Sequence, residues 1–309
     1  MRLGGTDIMG IFGPPSPPAC VTVPFSSLRE YEMQSFGPLL IPAAIVFVLA
    51  TLARLVTFAL FLKPFAEAAC PTDSKLARKF REAAWRSILY AVACGWAIKV
   101  MFYGPEELPW MQDSELFWKG WPNHEVTAEM SSIYALYLGL YVHQVVYLFL
   151  DTKTSDFPAL LAHHFITMSI VVGSWSVSFT RIGAFTMALH DVSDVFLELA
   201  KCFNYSKIAH PKFGIGSDVA FVVFAISFFA LRLGVYPKHV VYSAMFEACP
   251  HVSCIEPPTL ANCAPTVTFG LFIPLLLGLQ LLQLFWGWKV LGVISTVLRG
   301  KELEDPRDE

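Results

Sequence analysis

Charge is what this sequence has least of. Only 15% of its 309 residues are Lys, Arg, Asp or Glu, against 55% hydrophobic, where a soluble domain carries roughly 25% charged residues. That shortage excludes an ordinary soluble domain and points to a chain solvated by lipid. A basic excess is missing too. A net charge of -3 offers no surface for nucleic acid, so no nucleic-acid partner is expected, and the few Lys and Arg read as topology signals. The seven cysteines form no C-x-x-C pair and no zinc spacing, so most read as small apolar fillers. Histidines are too few for a di-iron site: His124, His143, His210, His239 and His251 are scattered, and no metal and no bound cofactor are expected. The paired broken helices of a proton-coupled transporter built from repeated halves are also missing. Residues 1–37 are rich in Gly and Pro and lack an apolar run long enough for a signal-peptide core; they read as a tail.

What is present is a series of seven apolar segments: Leu39–Leu62, Ser87–Tyr103, Met130–Leu150, Phe157–Trp175, Gly183–Phe203, Ser217–Tyr236 and Thr268–Val297. Each is near the roughly 20 residues a membrane helix needs. The fold class is therefore all-α, a multi-pass transmembrane bundle of about seven helices. Between the first two segments lies the densest basic stretch, with Lys63, Lys75, Arg78, Lys79, Arg81 and Arg86. The positive-inside rule sets this stretch in the cytoplasm, the N-terminus outside and the C-terminus inside. The sequon Asn204-Tyr205-Ser206 then faces the cytoplasm and is expected to stay unglycosylated. Phe117, Trp118 and Trp121 suit an aromatic belt at the membrane interface. Arg54, alone in its apolar segment, reads as a snorkelling or helix-pairing residue.

Against this background one stretch is dense in ionisable groups: His163, His164, His190, Asp191, Asp194, Glu198 and Lys201. Each charge at the centre of a membrane helix costs about 2.5–3.5 kcal/mol on insertion scales, so several in two segments imply an inward-facing purpose. Residues three, four and seven apart share a helix face, which makes Asp191, Asp194 and Glu198 one acidic stripe, extended by Lys201. Adjacent residues lie about 100° apart, so one of His163 and His164 should be central and the other supporting. Imidazoles facing carboxylates in an apolar cavity suit proton abstraction or nucleophilic acyl transfer.

The run HHFITMSIVVGSWSVSFTRIGAFTMALHDVSDVFLELAKCFNY closely resembles the longevity-assurance motif of ceramide synthases, within the TLC-domain superfamily. Similarity continues through Trp85, FWKGWP, Tyr134, Tyr141, DTKTSDF, RLGVYP (Arg232–Pro237) and LLGLQLLQLFW (Leu276–Trp286). The chain departs from the family pattern in several places. DTKTSDF is less basic than in animal members, SWSVSF stands where SY-x-x-N is usual, no homeobox-like insert fits, and the acidic tail ELEDPRDE has no Ser or Thr. The loop before the last segment, which relatives use to set acyl-chain length, is longer and holds Cys249, Cys254 and Cys263.

The resemblance implies a six-helix TLC core enclosing a polar cavity. The expected organisation is a tail at 1–37, a first membrane helix with cytoplasmic linker at 38–74, a TLC domain at 75–300 and a short acidic cytoplasmic tail at 301–309. It also implies an enzyme of the endoplasmic reticulum membrane that N-acylates a sphingoid base from long-chain acyl-CoA, the co-substrate. His163, His164, His190, Asp191 and Asp194 would be catalytic, and an acyl-imidazole on one His of the pair is one route. Lys153, Glu198, Lys201, Lys207 and Lys212 are expected to meet substrate. A lumenal disulfide among Cys249, Cys254 and Cys263 is expected, with a bridge through Cys263 preferred. Membrane lipids and a homo- or heterodimer are further expected partners. The alternative is a non-catalytic TLC relative that binds or moves lipid.

Overall fold

The computed structural model describes residues 34–103, 113–121, 123–124, 126–253 and 268–300. The tail at 1–33, Cys254, Cys263 and the acidic segment at 301–309 lie outside the described residues. Seven long helices make up the fold: α1 (Gly37–Ala69), α2 (Ser74–Tyr103), α3 (Ala128–Leu150), α4 (Phe157–Ser176), α5 (Thr180–Ser206), α6 (Phe213–His251) and α7 (Gly270–Leu298). No strand occurs among the described residues.

Five of the seven are long and apolar enough to cross a membrane: α1, α3, α4, α6 and α7. Helices α2 and α5 differ for a physical reason. The first turns of α2 carry Lys75, Arg78, Lys79, Arg81, Glu82 and Arg86, while α5 carries Arg181, Asp191, Asp194, Glu198 and Lys201. The basic stretch between the first two segments is helix rather than loop. Lys63–Ala69 continues α1, and α2 starts at Ser74, where Asp73 Oδ1 accepts hydrogen bonds from the backbone N–H of Lys75 (2.7 Å) and Leu76 (3.1 Å), an N-cap that satisfies two orphan donors. Thr127 caps α3 through Met130 N–H at 3.2 Å. Proline at N1 or N2 opens α1 and α4, where its missing N–H costs no helical bond, and Pro274 stands likewise at the start of the α-helical part of α7, Ile273–Leu298.

Three helices contain wide turns, α7 only at its start, within Thr268–Phe272. In α1, Phe58–Leu62 is wound with i to i+5 bonds, just before Pro64, which has no N–H to continue the α-helical ladder. In α6 such winding runs over Phe229–Glu247 and contains Pro237. This winding carries α6 on to His251, so the last inter-helix loop is shorter than the sequence suggests and Cys249 sits on helix. Cys249 is disulfide-bonded, and its partner is not among the described residues.

Helix α5 stands at the centre, packed most extensively against α2 and α6. Helix α1 docks from outside onto α3. Gly139 makes that contact close: a Cβ there would lie 2.5 Å from the Ala43 carbonyl oxygen and 2.7 Å from Val46 Cβ. The aromatic residues expected at the membrane interface are instead inside. Phe117 and Trp118 are buried, Trp118 Nε1 donates to Ser243 Oγ (2.8 Å), and Trp121 Nε1 donates to the Val177 carbonyl (2.7 Å). With their N–H groups satisfied by protein, the indoles gain more from packing on Phe179 than from the headgroup layer. They plug one end of the bundle; the other end carries the basic residues.

Candidate active site

Helices α4 and α5 bring the imidazoles and carboxylates together. His164 is buried, donates from Nδ1 to the Leu160 carbonyl at 2.7 Å, and sets Nε2 3.3 Å from the Gln144 side-chain amide. His163 is half-buried, with its ring 5.6 Å from that of His164 and nearly perpendicular to it. It also faces Trp286 (5.5 Å) and His190 (6.4 Å). Its Nδ1 is buried without a partner. The two rings thus differ: the nitrogens of His164 have partners, and Nδ1 of His163 has none.

One helix away, both ring nitrogens of His190 are engaged. Nδ1 donates to the Thr186 carbonyl at 2.7 Å, which makes Nε2 of the neutral ring an acceptor for the Gln283 side-chain N–H. Asp194 Oδ2 lies 2.7 Å from Nη2 of buried Arg232, which also donates to the His190 carbonyl. Asp191 stands beside Asp194 and near the Tyr137 hydroxyl, which is not in hydrogen-bond geometry with any partner. Asp191 has no ion-pair partner among the described residues.

These groups border a cavity of about 150 Å³, roughly ten to fifteen times the 10–15 Å³ a single water needs. His163, His164, His190, Asp191 and Asp194 line it, and Phe221, Phe224, Phe228, Val290 and Val293 supply an apolar wall from α6 and α7. Glu198, Lys201 and Asn204 border it toward the basic end. A second, more polar cavity adjoins the first and shares His164, Gln144, Glu198 and Lys201 with it.

This vestibule is walled by a chain of alternating charge. Arg54 pairs with Asp151, Arg86 lies 3.7 Å from Asp151 and 3.1 Å from Glu198, and Glu198 pairs with Lys201. Four helix segments are tied together this way, and Arg54 is thereby a helix-pairing residue, stacked also on Tyr147 at 3.9 Å. Burial pushes the Asp151 carboxyl above its usual range, and Arg54 beside it pulls in the opposite direction.

Of the remaining expected contacts, Lys153 borders the vestibule, its ammonium 5.3 Å from the Phe157 ring. Lys207 and Lys212 border neither cavity. Arg232, Gln283, Gln144 and Arg86 join the site without having been singled out by the acidic-stripe argument. The insertion-cost argument applies to Arg232 as much as to α5, since it lies in an otherwise apolar run; the two glutamines, being neutral, give no such signal.

The TLC domain family matches residues 79–292. Among similar proteins, Ceramide synthase LOH2 of Arabidopsis thaliana is 32% identical over 234 residues, which make up 75% of this chain and 74% of that protein. Ceramide synthase 4 of Mus musculus is 31% identical over 76% of this chain and 55% of its own length. Ceramide synthase 1 LOH3 of Arabidopsis thaliana is 30% identical over 76% of this chain and 75% of its own length.

Proposed function

Since this chain belongs to the TLC-domain family and stands among its ceramide synthases, we propose that it transfers a fatty acyl group from acyl-CoA to the amine of a sphingoid base. The observation that carries this reading is the joined pair of cavities, one apolar-walled and lined by the histidines and aspartates, the other cationic. The charge chain holds three cations against two anions, with Lys153 beside it. That excess supports docking of the polyanionic CoA head in the vestibule, with the acyl chain in the apolar cavity. Lys207 and Lys212, toward the basic end of the chain fold, add to the field that attracts an anion. In this arrangement the basic end faces the cytoplasm of the endoplasmic reticulum membrane, with the N-terminus in the lumen.

His163 is the nucleophile in this scheme, because His164 and His190 have their ring nitrogens engaged while His163 Nδ1 has no partner. A ring nitrogen attacks the thioester carbonyl carbon, the C–S bond breaks, and CoA leaves as a thiolate that takes up a proton. The sphingoid amine then attacks the acyl-imidazole carbon. The amide C–N bond forms, the bond to imidazole breaks, and the ammonium proton passes to a carboxylate of the site, for which unpaired Asp191 is suited.

The test uses purified full-length chain with sphinganine and acyl-CoAs of graded length. N-acylated product is expected, and incubation with acyl-CoA alone should raise the intact mass by one acyl group. His163→Ala combined with His164→Ala should abolish both. No product from any substrate pair overturns the enzymatic reading; product without an acylated intermediate at full turnover selects direct attack by the amine, with a histidine as base.

A further inference from the structure

Several buried polar atoms near the nucleophile lack partners, Arg232 Nε and the Tyr137 hydroxyl among them, and two belong to the side chains around the paired histidines and are complementary. His163 Nδ1 can donate, and Gln283 Oε1 can accept; both are sealed from solvent with no hydrogen bond. Gln283 is fully buried, and its amide nitrogen is already committed to His190 Nε2. Its carbonyl oxygen therefore cannot exchange roles with the amide nitrogen without placing two acceptors against each other, because His190 Nδ1 donates to Thr186.

Gln283 and His163 share two neighbours, Trp286 and His190. Gln283 and Trp286 are three residues apart on α7, hence on one face, and Trp286 packs on the His163 ring at 5.5 Å. His190, which Gln283 contacts directly, is 6.4 Å from His163 ring to ring. A buried acceptor and a buried donor left unmade each carry an uncompensated desolvation penalty, and rotation of the half-buried His163 ring toward Gln283 would remove both at once.

We propose that Gln283 is a positioning residue that clamps both histidines, donating to His190 Nε2 and accepting from His163 Nδ1–H. The inference rests on the acyl-transfer reading above and deepens it. With its proton held on Nδ1, His163 keeps the lone pair on Nε2, the nitrogen that then attacks the thioester carbonyl. His190 in turn is held neutral by Thr186 and Gln283 and acts through Gln283 rather than on substrate. Around the ring, Asp194 and Nη2 of Arg232 are committed to each other and His164 Nδ1 to Leu160, while Asp191 has no ion-pair partner among the described residues and Arg232 Nε has no hydrogen-bond partner.

The experiment compares Gln283→Leu, which removes donor and acceptor, with Gln283→Glu, which keeps an acceptor oxygen for His163 but cannot donate to His190 in its ionised form. Full-length protein is mixed with acyl-CoA alone, and acylation is followed by rapid quench and intact mass; kcat and KM are then measured with sphinganine. In Gln283→Leu, acylation and kcat should fall at least tenfold while KM for acyl-CoA stays within about twofold, and Gln283→Glu should recover most of the acylation rate. Equal loss in Leu and Glu variants, a loss carried by KM, or wild-type rates in Gln283→Leu would each overturn the proposal. If Gln283→Leu fails to fold, the Glu variant decides alone: acylation within threefold of wild type supports the clamp, and a tenfold loss in folded protein overturns it. If wild type turns over without gaining acyl mass, the acyl-imidazole reading fails and the same comparison is read in kcat. Wild type without any product would instead sink the enzymatic reading itself.

Discussion

Helices α1 and α5 are opposites. Helix α1 is apolar along its length apart from Arg54, Lys63 and Glu67, and it shows Ile41, Ile45, Leu49, Leu52 and Phe61 to its surroundings. Helix α5 carries five charged residues and His190; His190, Asp191, Glu198 and Lys201 are buried among neighbouring helices, and Arg181, Asp194 and Asn204 are partly buried. The helix that looks most like a membrane span is thus peripheral, and the one that looks least like a span is the axis of the molecule. In a lipid-solvated chain polarity predicts burial, the reverse of the rule for soluble proteins, because carbon exposed to lipid costs nothing and an unpaired charge there costs a great deal.

Three substitutions break or sharpen this contrast. The largest effect should come from Asp194→Asn, which leaves Arg232 buried without its anion; breaking a buried pair from one side costs about 3–5 kcal/mol. Thermal unfolding in detergent should show that loss together with lost turnover, and Asp194→Asn with Arg232→Gln should recover part of the stability. A wild-type melting profile for Asp194→Asn would mean that the ion pair does not hold α5 to α6. Next, Gly139→Ala tests how α1 is attached. Its new Cβ would meet the Ala43 carbonyl oxygen at 2.5 Å, and overpacking of this kind costs about 1–3 kcal/mol. The expected result is a lowered melting temperature with activity per folded molecule retained, since the contact at Gly139 is with Ala43 and Val46 and with no residue lining either cavity. The smallest effect should come from Leu49→Ala on the outer face of α1. At 58% exposure it should change stability by no more than about 0.5 kcal/mol; a larger drop would show that this face is covered by protein.

Much of this arrangement was legible from residue type and spacing. Apolar runs located all seven helices, and the insertion cost of charge picked out His163, His164 and the acidic stripe of α5, which do line one cavity. Helix ends were less legible. The basic stretch looked like a loop because positive charge marks membrane boundaries, yet nothing in Ser74–Arg86 opposes helix, and Asp73 caps it. Trp118 and Trp121 looked interfacial because an indole suits a headgroup layer, while the partners that make burial favourable, Ser243 and the Val177 carbonyl, are distant in sequence. Gln283 was invisible for a related reason: a neutral amide in an apolar helix acquires meaning only from the imidazole that meets it across 93 positions.

The ion pair between α5 and α6 also bears on how the molecule is made. Helix α5 ends at Ser206, well before Arg232 in the chain, so at a synthesis rate of roughly 5–20 residues per second α5 is complete about 1–5 s before Arg232 exists. During that interval Asp194 has no cation from α6, whereas Glu198 already has Arg86 from α2. The nascent chain therefore cannot hand α5 to lipid as a free helix. It must keep α5 against α2, or within the insertion machinery, until α6 arrives, and a chain arrested before Arg232 should expose α5 to protease or to a glycosylation reporter placed beyond Ser206.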